Sequence, residues 1–251
     1  DKIRLNPGNI SAEAHIREVV QRAKKAKIPI RIGLNSGSIR KSGTQVKVMM
    51  ESCCRYIRVF EKLKFYDTVI SLKASDVRTT IEAYRRMAGI CDYPFHLGLT
   101  ATGSPFKGAV QSSIAIASLL LEGIGDTIRV SLTDDPVQEV RTARYILEAL
   151  GLRRFGPRII SCPTCGRCQV DLVTIVKKLE RALERSQMTR AFRIAVMGCE
   201  VNGPGEAMDA DIGIAFGRKE GLLFKNGKPL RKVSLRESIT VLLEEMRRMH
   251  D

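Results

Sequence analysis

"IPIRIGLNSGS", residues 28–38, decides the fold. Apolar side chains alternate with a single cation, and the stretch ends in Asn, Ser and Gly. That is a strand handing over to a turn and then a helix. Four more stretches run from strand to turn in the same way: "KIRLNPGN", "TVISLKASD", "FHLGLTATG" and "TIRVSLTDDP", starting near 2, 68, 94 and 127. The segments between them have helical periodicity and predict helices at 11–26, 44–64, 77–90, 108–122 and 137–150. In the first of these, Ala14, Ile16, Val19, Val20 and Ala23 share one face. Repeated βα units build parallel sheet, as a doubly wound sheet or a barrel. In both, ligands sit at the carboxyl ends of the strands.

Four cations interrupt these strands: Arg4, Arg31, Lys73 and Arg129. Parallel strands covered on both faces normally read as unbroken Val, Ile and Leu. A cation there must be paired or face a polar interior, because burying it alone is costly. The alternatives are structural ion pairs and an anionic ligand. Four cations with few acidic neighbours in these strands favour the ligand.

The rhythm changes in "GLRRFGPR", residues 151–158, which reads as a linker. We therefore divide the chain into a βα-repeat domain, 1–152, and a smaller α/β domain, 153–251. The second predicts strands at 158–161, 192–197 and 210–216, a helix at 170–185, and a hairpin turning at Asn226-Gly227. Its last helix opens with Ser234…Glu237, a capping-box pattern.

Two stretches of this domain carry thiols. "SCPTCGRCQ", 161–169, holds Cys162, Cys165 and Cys168, and "MGCEVNGPGEAMDAD", 197–211, holds Cys199 and Glu206. Both leave the ends of predicted strands, so they can converge. A structural zinc would take four ligands, usually from two paired arms, and the second arm here offers one Cys and no His. An iron–sulfur cluster suits the C-x2-C-x2-C start, but position 172, where a ferredoxin-type run places another Cys, is Leu. The spacing ranks a cluster above zinc and leaves unligated redox thiols behind both. Seven cysteines with three in one short run argue for a reducing compartment rather than a disulfide framework. Cys53, Cys54 and Cys91 lie in apolar, helix-like surroundings and read as ordinary buried thiols.

The net charge of +15 suits phosphorylated small molecules, nucleic acid or a membrane surface. The cations are dispersed, there is no Trp, and aromatic residues are 5% of the chain, so nucleic acid is disfavoured. The densest apolar run, "IAIASLLL" at 114–121, is too short to span a membrane. No signal peptide is visible.

In order along the chain, "IRLNPGN", "RIGLNSGS", "SLKASDV", "HLGLT", "EGIGDTIRVSL", "DPVQEV", "SCPTCGR" and "GCEVNGPGEA" resemble the 4-hydroxy-3-methylbut-2-enyl diphosphate synthases. These are iron–sulfur oxidoreductases of the non-mevalonate route to isoprenoid precursors. The resemblance implies a TIM-type (β/α)8 barrel, with about five βα units present here, followed by an α/β domain holding a [4Fe–4S] cluster. It implies Cys162, Cys165, Cys199 and Glu206 as cluster ligands, with Glu206 exchangeable and catalytic. It places substrate contacts on Arg4, Arg31, Asn35, Lys73, Thr100, Arg129 and Ser131. The implied reaction is reductive ring opening of 2-C-methyl-D-erythritol 2,4-cyclodiphosphate, with ferredoxin or flavodoxin as donor, in a cytoplasmic, head-to-tail homodimer.

Three departures accompany the resemblance. Three barrel units, roughly 90 residues at this spacing, are expected ahead of residue 1, so this piece alone is expected to be incomplete as an enzyme. The family usually reads T-E-A-G where this chain has Thr100-Ala101-Thr102-Gly103, which removes a carboxylate ascribed to catalysis. Cys168 is an extra thiol, and the 38–52 connection is short. The alternatives are a catalytically impaired relative that still binds a cluster, and a zinc-containing basic binding module.

Overall fold

The computed structural model describes residues 1–35, 37, 44–186, 188–200, 205 and 207–250. The chain divides into two compact units, Asp1–Arg153 and Arg154–Asp251. In the first, strands and helices alternate: β1 Ile3–Leu5, α1 Glu13–Ala26, β2 Ile30–Asn35, α2 Gln45–Lys62, β3 Thr68–Lys73, α3 Val77–Ala88, β4 His96–Gly98, α4 Pro105–Leu121, β5 Thr127–Arg129 and α5 Pro136–Ala149. Every strand pairing among them is parallel, as βα repeats require. The strands do not close a barrel. Among the described residues they form a three-stranded sheet β1-β2-β3 and a two-stranded sheet β4-β5.

The break between the two sheets has an identifiable cause. From β3 the ladder reaches across once, as Ile70 N donates to Pro94 O at 2.8 Å beside an Ile70–Phe95 bridge. One step later the Tyr84 hydroxyl, from α3, stands between the strands. It accepts from Leu72 N at 2.9 Å and donates to His96 O at 2.6 Å. Both backbone groups are satisfied, so the sheets stay joined while the strands spread apart.

Period-two alternation sorts the strand residues. Ile30, Ile32 and Leu34 of β2, Ile70 and Leu72 of β3, and Leu97 of β4 are fully buried. They belong to one core with Ile16 and Val20 of α1, Met49, Cys53, Tyr56 and Phe60 of α2, and Tyr84 and Met87 of α3. Each large side chain removed from water contributes on the order of 1.5–3 kcal/mol. The opposite strand face carries the polar residues, including all four cations. Helix α4 begins at Pro105, three residues before its predicted start, because the Pro ring is already set for the first helical turn.

In the second unit, β6 Arg158–Ser161, β7 Arg193–Met197, β8 Ile212–Phe216, β9 Glu220–Lys225 and β10 Lys228–Ser234 form one sheet in the order β10-β9-β8-β7-β6. Strands β6, β7 and β8 are parallel, and β8, β9 and β10 are antiparallel. Helices α6 Leu172–Ser186 and α7 Ser238–His250 supply Leu179, Leu242 and Met246 to a core with Ile194, Ile212, Ile214 and Phe216. The hairpin turns at Asn226-Gly227, both at positive φ (47° and 72°), as the two-residue turn demands. The exposed edge β10 carries Lys228, Arg231 and Lys232 and a bulge after Pro229, which discourage pairing with another chain. The capping pair differs from the ideal box. Glu237 N donates to Ser234 Oγ at 3.3 Å, while the Glu237 carboxylate accepts from that same hydroxyl at 2.8 Å instead of from the Ser234 backbone.

Candidate functional site

Strand register gathers the cations. Arg4 lies beside Arg31, Asn35 beside Lys73, and Gly98 beside Arg129. With Ile70 opposite Phe95, Lys73 lies level with Gly98, so Asn35, Lys73, Gly98 and Arg129 form one row across the inner face. Two glycines make room for the long side chains. A methyl on Gly33 would stand 2.4 Å from Arg4 Nε, and one on Gly98 would stand 3.1 Å from Lys73 Nζ and 2.5 Å from the Arg129 carbonyl oxygen. Arg4 Nη2 uses the space to donate to Gly33 O at 2.9 Å and to Asn35 Oδ1 at 3.2 Å.

The charges act on one another. Lys73, 5% exposed, is pushed down to about 7 by burial first, then by the guanidinium groups of Arg129, Arg31 and Arg4, with Glu139 acting in the opposite sense. Burial, Arg4 and Arg129 likewise lower Arg31, whose Nε is buried without a hydrogen-bond partner among the described residues. Glu139, the carboxylate that reaches this group, has its Oε1 engaged by Leu132 N at 2.8 Å. Among the described residues, the structural ion pairs that would explain the cations are therefore not made. The arrangement can take up negative charge, and a multivalent oxyanion is the matching ligand.

The segments following β4 and β5 are tied together beside this row. Thr100 N donates to Ala74 O at 3.1 Å, Ser131 Oγ to Leu99 O at 3.4 Å, and the Thr102 hydroxyl to Ser131 O. Thr100 and Ser131 thus lie two residues past the ends of β4 and β5. Ala101, between the pinned Thr100 and Thr102, is exposed and has φ 55°, a left-handed conformation unusual for a side-chain-bearing residue. Helix N-termini contribute less than their number suggests. Asp76 caps α3 and Asp135 caps α5, so carboxylates already occupy those first turns, while α4 after Ser104 has no side-chain cap.

The thiols belong to the second unit. Ser161, the last residue of β6, lies beside Val196 of β7, so Cys162 and the Gly198-Cys199 pair leave the same end of neighbouring strands. Gly198 joins the two arms. Its N–H donates to Cys162 Sγ at 3.2 Å, its carbonyl accepts from Gln169 N at 2.9 Å, and a methyl there would stand 2.5 Å from Cys168 Sγ. Cys168 itself donates to Val170 O at 3.2 Å, which holds the loop's exit turn. Cys199 is buried, Cys162 and Cys168 are half-buried, and Cys165 is exposed at the loop. None of the seven cysteines is in a disulfide. Glu206 lies outside the described residues, and among those described no group of three or more His, Cys, Asp or Glu stands close enough to hold a metal ion. The donor chemistry nonetheless fits a thiolate-held cluster: four cysteines on two adjoining loops, one already receiving a backbone N–H on sulfur, as cluster sulfurs do.

The sequence reading passed over His96, Tyr84 and Gly198. His96 was recoverable, since it and Gly98 alternate in β4 just as Lys73 alternates with Ser71 in β3. Tyr84 and Gly198 left no such trace, because their roles depend on contacts across the fold.

Comparison with known proteins assigns both units to one family. Residues 1–144 match the GcpE TIM-barrel domain, and 158–248 match the GcpE protein C-terminal domain. A relative from Fusobacterium nucleatum subsp. nucleatum, named 4-hydroxy-3-methylbut-2-en-1-yl diphosphate synthase (flavodoxin), is 49% identical over 255 residues, covering 99% of this chain and 70% of its own length. Relatives of the same name from Caldanaerobacter subterraneus subsp. tengcongensis and Thermodesulfovibrio yellowstonii are each 50% identical, and this chain covers 71% and 72% of their lengths. Both units match models of one family, and at this identity over nearly the whole chain it belongs to the GcpE family.

Proposed function

We propose that this chain carries out the reductive ring opening of 2-C-methyl-D-erythritol 2,4-cyclodiphosphate to (E)-4-hydroxy-3-methylbut-2-enyl diphosphate. Two electrons and two protons enter, a C–O bond of the ring breaks, and water leaves. The observation that carries this reading is the cation row. Arg4, Arg31, Lys73 and Arg129 face one interior without ion-paired carboxylates among the described residues, and a cyclic diphosphate is a multivalent anion that such a group can hold. These side chains, with Asn35, Thr100 and Ser131, bind and orient the two phosphates. The uncapped N-terminus of α4 adds N–H groups beside them.

In this reading the first unit is a partial (β/α) barrel of five βα units, 1–152, and the second, 153–251, is an iron–sulfur domain. Cys162, Cys165 and Cys199 would hold a [4Fe–4S] cluster, with Glu206 as its fourth, exchangeable ligand. Such a cluster, when bound, supplies single electrons and an iron open to a substrate oxygen. The Gly198 N–H on Cys162 favours electron uptake by stabilising negative charge on that sulfur. Flavodoxin is the donor named for the relatives, and we extend it to this chain. A homodimer in the cytoplasm completes the reading, consistent with thiols that must stay reduced.

The test is anaerobic reconstitution with iron and sulfide, followed by turnover of the cyclic diphosphate with reduced flavodoxin. About four irons per chain and formation of the linear diphosphate are expected. Tightly bound zinc with no visible absorption would replace this reading by the zinc-binding module.

One observation favours a second reading, an impaired relative. Ala101 offers a methyl group where the resembling family has a carboxylate, and a positioned acid or base is worth typically 10²–10⁴-fold. Ala101→Glu should then raise turnover within about that range at unchanged iron content. Turnover unaffected by the substitution would remove the second reading.

A further inference from the structure

We propose that His96 is a further binding residue of the anion site, presenting a neutral Nε2–H to an oxygen of the phosphorylated ligand. The proposal rests on the reading of the cation row as an anion site. It starts from two buried nitrogens without a hydrogen-bond partner among the described residues, Arg31 Nε and His96 Nε2. Leaving such a group unsatisfied costs about 1–3 kcal/mol, so a donor held in this condition points to a missing acceptor.

The surroundings of His96 are built to hold it there. Register puts it level with Ser71 of β3 and Thr127 of β5, next along β4 from the row containing Lys73 and Arg129. Its Nδ1 is 2.9 Å from Thr127 Oγ1, and its carbonyl accepts from the Tyr84 hydroxyl at 2.6 Å. Two elements thus fix the ring and its backbone and leave Nε2 as the free end.

The proton follows from the charges facing the ring. Burial, Lys73 on β3, Arg31 on β2, Arg129 on β5 and Lys2 before β1 all oppose a positive imidazole. The ring is therefore neutral and carries one proton. An oxyanion attracted by these cations requires a donor at Nε2, so Nδ1 accepts from the Thr127 hydroxyl. Thr127 is the positioning residue that selects this tautomer.

The probe is inorganic pyrophosphate, and the readout is the ring-nitrogen NMR signals of the 15N-labelled full chain, which has three histidines. At neutral pH His96 should give the neutral Nε2–H pattern, and its signals should shift on saturation with pyrophosphate while those of His15 on α1 stay in place. Thr127→Val should populate the other tautomer. His96→Phe should weaken pyrophosphate about tenfold, and His96→Gln, which keeps an N–H donor, should recover part of that loss. Pyrophosphate binding that depends on Arg31 but leaves the His96 signals unmoved would overturn the proposal and leave the anion site standing. An Nδ1–H tautomer in the bound state would also overturn it. Absence of pyrophosphate binding to the unmodified chain would remove the anion-site reading and this proposal together.

Discussion

The two units hold their chemistry in opposite ways. In the first, the functional side chains stand on strands. Register sets their spacing, Gly33 and Gly98 give them room, and the apolar core behind the sheet fixes the backbone. The cations are consequently together before any ligand arrives, and their mutual repulsion is carried by the fold. In the second, the thiols stand on loops that leave the ends of β6 and β7. Contacts around Gly198 join those loops, and Cys165 faces solvent. A site on strands is preformed and electrostatically loaded. A thiol site on loops is assembled by what it binds, because ligation energy is also folding energy for the loops. The two sites should therefore fail differently.

The largest contrast is expected at the thiols. Cys199→Ser should abolish the broad visible absorption of the reconstituted chain and reduce iron from about four per chain to background. Cys168→Ser should leave both largely intact, since Cys168 packs on Gly198 and bonds Val170 O. A requirement for Cys168 together with a dispensable Glu206 would show that the ligand set is wrong. Anion binding at the strand cations should be untouched by either change.

Next in size are the strand cations. Arg31→Ala and Arg129→Ala should each weaken the cyclic diphosphate by about 2–5 kcal/mol in calorimetry, at unchanged iron content, if the contacts are desolvated and charge-assisted. The comparison breaks if iron content falls as well, or if affinity is unchanged in both variants.

A smaller and more specific effect is expected from pH. Lys73 is held at about 7 in the free chain against an ordinary 10.5. Between those values the unfolded chain binds more protons than the folded one, so this lysine makes stability rise with pH over about 7 to 10.5 and contributes its full penalty below 7. A bound polyanion reverses the sign by favouring the ammonium form. Pyrophosphate affinity should therefore fall as pH rises from about 7 to 9, with proton uptake on binding near the upper end. Lys73→Met should lose that slope and be more stable than the parent below pH 7. Equal slopes in parent and variant would show that Lys73 does not titrate in this window.

These differences also explain what could be read from the sequence. The βα alternation, the cations in the strands and the hairpin at Asn226-Gly227 are periodic or local signals, and each recurs in the fold close to its expected place. The split of the first unit's strands into two sheets is not local. It depends on a tyrosine from α3 whose hydroxyl meets backbone groups 12 residues away in both directions. The pairing of the thiol loops was legible as a possibility, since both follow strands. Their meeting point was not, because a single Gly among several in "MGCEVNGPGEA" gives no sign that Cys162 and Cys168 converge on it. Aspartate caps on α3 and α5 were visible as residues, yet their effect, taking two helix N-termini away from any ligand, needed the geometry.

The smallest expected effect lies at Ala101, where the strand unit gives way to a loop. Thr100 N and the Thr102 hydroxyl fix the backbone on either side, so the φ of 55° at Ala101 is imposed by its neighbours. A Cβ in that region is disfavoured, whereas glycine adopts it freely. Because the side chain is exposed, its removal loses little packing. Ala101→Gly should therefore raise stability slightly, by up to about 1 kcal/mol, the gain from relieved strain exceeding the added freedom of the unfolded chain. Ala101→Glu keeps a Cβ and should leave stability within about 0.5 kcal/mol of the parent, so any change in its turnover reflects the carboxylate rather than the fold. Denaturant midpoints of the three chains at one pH decide the matter. A loss of 1 kcal/mol or more for the glycine variant would mean that the loop is not held by Thr100 and Thr102, and that the contrast between fixed strands and adaptable loops begins one residue earlier than proposed.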